Sequence, residues 1–315
     1  MCRGKRFHIQ FTTKDLRGSQ ASAEPSPLEQ QFLQFRRSMD DELEAMEAFE
    51  DWVLSPCIPY IRQLAPPRQS SNPLSLEEYF NPVTFTFNLV NVNGRLEAIQ
   101  RPDDPAVTRY LAPKVSISEQ TVSSVLLQGL PCISASQLEI LPGLGTSEEE
   151  YDAIPKAVRV IGTERQFYFK AAFDEHSFRR ELDTLLRIRS GCFPNDLHVS
   201  RLAGVVTWND GISVMGFLLE YIHHSNTLDS AAADALPADR VRWAQQIQDT
   251  VKQLHDIKLV WGDVKPDNVL IESKGDACVI DFGGGYAAHW VDEDLEGTRD
   301  GDLQGVSRIR KFLGL

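Results

Sequence analysis

The chain has 315 residues, 42% of them hydrophobic and 24% charged, a balance that fits a folded globular protein with room for two domains or one large bilobal domain. A formal net charge of −13 without a basic stripe argues against a nucleic-acid partner, since phosphate binding relies on clustered Lys and Arg. Five scattered cysteines with no Cys-x-x-Cys spacing, no secretory leader in residues 1–11 and no apolar run long enough to span a bilayer lead us to expect a soluble protein without membrane contact, cytoplasmic or nuclear.

In chain order, residues 6–12 read as a strand and residues 18–27 as a Ser-, Ala- and Pro-rich loop. Residues 28–64 form a helical stretch, with Phe32, Phe35, Met39, Leu43, Met46, Phe49 and Trp52 at three- and four-residue steps. Pro59 and then Pro66-Pro67 are expected to end it. Asn93-Gly94 between two alternating apolar runs, residues 83–90 and 95–99, is a hairpin signal. Residues 1–133 therefore read as a non-catalytic helix-plus-hairpin module.

From about Ser134 the texture changes. Residues 158–161 and 166–173 read as strands around Gly162-Thr163-Glu164. A helix over 174–189 carries Phe178, Leu182 and Leu185 on one face, with Asp174 as its N-cap. Two strands, residues 204–208 and 212–222, flank Asn209-Asp210-Gly211. A helix over 239–257 points Val241, Ala244, Ile247, Val251 and Leu254 inward, and residues 268–272 and 277–282 form a closing hairpin.

Between that helix and that hairpin lies Trp261-Gly262-Asp263-Val264-Lys265-Pro266-Asp267-Asn268, followed thirteen residues after the amide by Asp281-Phe282-Gly283. Transfer of a phosphoryl group from a nucleoside triphosphate needs these side-chain types. Asp263 would orient the attacking hydroxyl and Lys265 would screen the moving charge. Asn268 and Asp281 would supply oxygen to magnesium. Read alone, Asp-x-Lys-Pro-Asp-Asn is also an ordinary surface turn; the later Asp-Phe-Gly favours chemistry. Such chemistry further needs a lysine on an upstream strand, fixed by a helical acid. Lys170 fits, although a lone strand lysine also serves as an edge gatekeeper. Glu181 is its best partner and Glu175 a rival.

These motifs resemble the catalytic loop and metal-binding segment of the protein kinase superfamily. More narrowly they resemble a fungal protein-kinase-like group with a Trp-Gly-Asp loop. The resemblance covers about residues 134–315. It implies an α+β, bilobal protein-kinase-like fold, with an N-lobe over about 134–222 and a shortened C-lobe over about 223–315, since thirteen residues follow Asp302. It implies ATP and Mg2+ as cofactors, and an unidentified protein substrate phosphorylated on Ser or Thr. By the same resemblance Leu219 is a gatekeeper, and the Glu220 carbonyl and Ile222 amide meet the base, unless this is a plain buried strand end. Asp302 resembles a buried acid beneath the catalytic loop, or is a helix N-cap.

The departures are specific. Trp261-Gly262 replaces the usual His-Arg, and Tyr286 is the only hydroxylated side chain between Asp281 and Trp290. Activity is thus expected not to depend on activation-loop phosphorylation, with Trp261 filling the packing role of the histidine. No Gly-x-Gly-x-x-Gly precedes Lys170; Gly143-Leu144-Gly145 is a remnant of one or a plain loop. The alternative to a phosphotransferase is a nucleotide-binding pseudokinase or scaffold. A small-molecule kinase is disfavoured by Lys265-Pro266.

Overall fold

A computed structural model describes residues 4–18, 24–38, 43–66, 74–102, 112–116, 125, 129–141, 154–191, 197–211, 213–285 and 287–315. Gly143-Leu144-Gly145 and Tyr286 lie outside the described residues. The described residues up to Ala112 make one compact unit and those from Pro113 onward a second.

In the first unit, β1 (Lys5–Gln10) leads to α1 (Thr13–Arg17), α2 (Pro27–Ser38), α3 (Leu43–Leu54), α4 (Ile58–Leu64) and α5 (Leu76–Phe80). Next come β2 (Val83–Val92) and β3 (Arg95–Arg101), and β1 joins their hairpin in parallel with β2. Asn93 and Gly94 both have positive φ, 53° and 84°, as a tight primed turn requires. The helical stretch expected over 28–64 is divided into α2, α3 and α4. Pro59 does not end it. It sits in the first turn of α4, where its missing N–H has no partner to lose, so it opens a helix. The five-residue helices α1 and α5 are too short to show periodicity, yet each carries a capping box, Thr12 with Asp15 and Ser75 with Glu78. Phe11, Phe32, Phe35, Phe49 and Trp52 gather with ring centroids 5.2–6.3 Å apart.

The second unit opens with β4 (Val115–Ser116), β5 (Cys132–Ser134), β6 (Leu138–Ile140), β7 (Ala157–Val160) and β8 (Gln166–Ala171). Helix α6 (Glu175–Ser190) follows, then β9 (Leu202–Thr207) and β10 (Ser213–Glu220). These strands form one sheet in the order β5-β9-β10-β8-β7-β6, with β4 also on β10. Helix α6 begins at the expected cap: the Asp174 carboxylate accepts from the Ser177 N–H at 2.7 Å. Its buried face includes Phe178, Leu182 and Leu185, and Phe178 stacks on Phe217 of β10 at 4.5 Å. Burying each such side chain stabilises by roughly 1.5–3 kcal/mol, so the helix is held against the sheet at a defined rotation. Gly216 permits β10 to pass β8 closely, since a Cβ there would lie 2.1 Å from the Lys170 carbonyl oxygen.

The helical part consists of β11 (His224–Thr227), α7 (Leu228–Ala231), α8 (Pro237–Asp256), β12 (Val269–Glu272), β13 (Ala277–Val279) and α9 (Arg299–Phe312). Strands β11, β12 and β13 make a second small antiparallel sheet. Helix α8 buries Ala244, Ile247, Val251 and Leu254 as expected, but Val241 is 53% exposed. Trp243 and Thr250 are also buried, which centres the stripe well over 90° away from Val241 on the helix. The closing hairpin is shorter than expected, and Asp281 follows it in a turn with φ +63°. Among the described residues no helix is long and apolar enough to cross a membrane. The architecture is the α+β arrangement expected: a curled sheet with one helix, joined to a mainly helical part.

Candidate active site

All of the candidate residues lie in the second unit, and Lys170, Glu181, Leu219, Glu220, Ile222 and Asp281 line one cleft of about 490 Å³. Lys170 lies on β8, where side chains alternate, so Tyr168 and Lys170 face the cleft while Phe167 and Phe169 are buried on the other side. The Lys170 ammonium donates to both Glu181 oxygens, at 2.8 and 2.7 Å, and to Asp281 Oδ1 at 2.8 Å. The edge-gatekeeper reading of Lys170 is thereby set aside. Glu175, the rival partner, pairs instead with Arg179 on its own helix.

The electrostatics follow from burial and pairing. Burial alone would pull the Lys170 ammonium down, but the attraction of Glu181 and Asp281 outweighs it and holds the group above its ordinary value. Burial pushes the Glu181 carboxyl up, with Lys170 opposing. Glu181 is 3% exposed, so Lys170 is the cation that makes its charge tolerable.

The loop between α8 and β12 holds Asp263, 5% exposed. Its Oδ2 accepts from Lys265 Nζ and from Asn268 Nδ2, both at 2.8 Å. Asn268 Nδ2 also donates to the Asp263 backbone carbonyl at 2.9 Å. Asp263 Oδ1 is buried and has no hydrogen-bond partner. The Ile280 N–H donates to the Asn268 carbonyl at 3.0 Å, which brings the amide beside the Asp281 turn. Phe282, fully buried, anchors that turn, and the Gly283 N–H donates to Asp281 Oδ1 at 3.2 Å. One carboxylate and one neutral oxygen, completed by phosphate oxygens, form a donor set suited to magnesium. Among the described residues no group of three His, Cys, Asp or Glu gathers as a self-sufficient metal site.

Asp302 anchors the loop from below. At 1% exposure it accepts from the Trp261 and Gly262 N–H groups, each at 2.8 Å, and from His255 Nε2 at 2.7 Å. It is not the N-cap of α9, a role taken by Thr298. Trp261 is fully buried and donates Nε1–H to the Ile280 carbonyl at 2.9 Å, tying the Asp263 loop to the Asp281 turn.

Leu219, Glu220 and Ile222 line the cleft together with Leu270 and Ile280. The Glu220 side chain accepts from Arg165 at 3.3 Å. Among the lining residues that sequence reasoning did not single out are Tyr168 and Ser200. Tyr168 was signalled by its step of two from Lys170. Ser200, 2% exposed with an unpartnered hydroxyl, lies in a short connection before β9 that carries no motif.

A sequence model of the protein kinase domain matches residues 157–299. Mitogen-activated protein kinase kinase 9 of Arabidopsis thaliana is 26% identical over 176 residues, covering 54% of this chain and 53% of that protein. CBL-interacting serine/threonine-protein kinase 18 of Arabidopsis thaliana is 27% identical over 139 residues, 44% of this chain and 24% of that protein. Mitogen-activated protein kinase kinase kinase 17 of the same plant is 35% identical over 78 residues, 24% of this chain. The chain thus spans between 21% and 53% of the length of these relatives. Residues 157–299 are thus similar in sequence to protein kinase domains, on an α+β fold that carries this cleft.

Proposed function

We propose that the protein is an ATP- and magnesium-dependent phosphotransferase of the Ser/Thr protein kinase kind, passing the γ-phosphate to a hydroxyl of a protein. The observation carrying this reading is that Lys170 is held between Glu181 and Asp281 while Asp263 keeps one buried oxygen unpartnered. Lys170 would steady the α and β phosphates. Asp263 Oδ1 would accept the hydrogen bond of the acceptor hydroxyl and orient it in line, and Lys265 would lie beside the charge that develops on transfer. Asn268 and Asp281 would hold magnesium, whose charge screens the phosphates. The Glu220 carbonyl and Ile222 amide would meet the base, with Leu219 behind it. This activity would reside within residues 134–315, with residues 1–133 non-catalytic.

The test is transfer of labelled phosphate from ATP by the purified full chain, to itself or to a generic protein, against Asp263→Ala. Transfer no greater than that of Asp263→Ala overturns the reading. Magnesium-dependent stabilisation by ATP without transfer favours the nucleotide-binding scaffold instead.

A further inference from the structure

The Asp263 loop and the Asp281 turn are built on glycines of positive φ: Gly262 at 84° and Gly284 at 78°, with Gly297 at 66° in the connection leading to α9. Three loops that lack side chains at their point of approach would enclose a hollow beside Asp263. One side chain fills it. A Cβ at Gly262 would lie 2.1 Å from Arg180 Nη2, and a Cβ at Gly284 would lie 2.3 Å from Nη1 and 2.6 Å from Cζ. At Gly297 a Cβ would still come within 3.8 Å of Nη1. The planar guanidinium therefore occupies the volume that the glycines leave open, and glycine is needed at 262 and 284 for it to fit.

Arg180 precedes Glu181 on α6, the helix whose acid holds Lys170. Its neighbour Arg179 is a solvated charge, about half exposed and paired to Glu175 one turn earlier. Arg180 is half-buried and leaves its helix for the loops of the opposite part. We infer that Arg180 is a positioning residue that wedges α6 against the Asp263 and Asp281 loops. It sets the Lys170–Glu181 pair and Asp263 in register from the helix side, with no arginine in the Asp263 loop itself. The inference deepens the phosphotransferase reading but concerns a contact that exists without turnover.

The test compares Arg180→Ala with Arg179→Ala in the full chain. Both remove one cation from the same helix, so helix propensity and net charge are matched. Amide hydrogen exchange is followed in peptides covering 175–190 and 261–265. Arg180→Ala should speed exchange about tenfold in both segments, because local opening is released there; Arg179→Ala should leave both as in the wild type. In turnover, kcat should fall about tenfold or more, with KM for ATP changed by less than about threefold, as misplacement of reacting groups predicts. Equal exchange in Arg180→Ala and Arg179→Ala overturns the inference. A wild-type chain without phosphate transfer overturns the enzymatic reading alone, and exchange still decides the role of Arg180.

Discussion

Replacing Asp302 by asparagine changes one oxygen to an NH2 at a buried site, 1% exposed. The carboxylate accepts three donors, the Trp261 and Gly262 N–H groups at 2.8 Å and His255 Nε2 at 2.7 Å. Asparagine keeps one acceptor oxygen, and its NH2 must then face at least one of those donors. The loss of a charge-assisted bond costs about 1.5–3 kcal/mol and a buried donor left unpaired about 1–3 more, giving about 2.5–6 kcal/mol in total. In a domain of roughly 200 residues that lowers Tm by about 5–24 °C. Tryptophan fluorescence in a urea titration is a suitable assay, because four of the five tryptophans (Trp208, Trp243, Trp261 and Trp290) lie in the second unit. The exposed Asp300→Asn in the first turn of the same helix is the control and should shift stability by about 0.5 kcal/mol or less. If Asp302→Asn unfolds within about 1 kcal/mol of the wild type, the loop is not held in the way described.

Lys170→Met should abolish stabilisation by Mg-ATP in a thermal shift, and should itself destabilise by about 3–5 kcal/mol by stranding the buried Glu181 carboxylate. Adding Glu181→Gln to that variant should recover part of the loss, and additive costs in the cycle would refute the pairing. Gly216→Ala should destabilise by about 2 kcal/mol or more and weaken nucleotide binding, because the new methyl would press on the Lys170 carbonyl at 2.1 Å. Burial pushes the thiol of Cys57 up to about 11 and that of Cys278 up to about 12. At pH 8 both remain protonated, so maleimide should label neither until denaturant is added; labelling of the folded chain at either position contradicts their placement.

Much of the site could be read from order along the chain. Asp263, Lys265 and Asn268 lie within six residues, so local loop geometry alone brings them together, and one hairpin delivers Asp281. The turn Asn93-Gly94, the cap Asp174 and the face carrying Phe178, Leu182 and Leu185 are likewise local signals that the structure bears out. Pro59 was misread because a proline opens a helix as readily as it closes one, and only the flanking backbone distinguishes the two. Val241 was misread because a four-point stripe on α8 fixes the helix rotation only loosely.

What the chain order determined was the set of chemical groups and the local turns that carry them, since capping, periodicity and turn preference act over a few residues. What only tertiary structure decided was partnership across long separations. Glu181 rather than Glu175 takes Lys170, Asp302 reaches back forty residues to the Gly262 N–H, and Arg180 enters a hollow among three glycines. Those choices depend on how α6, the sheet and the loops pack, and close packing selects one rotation of a helix where the sequence permits several.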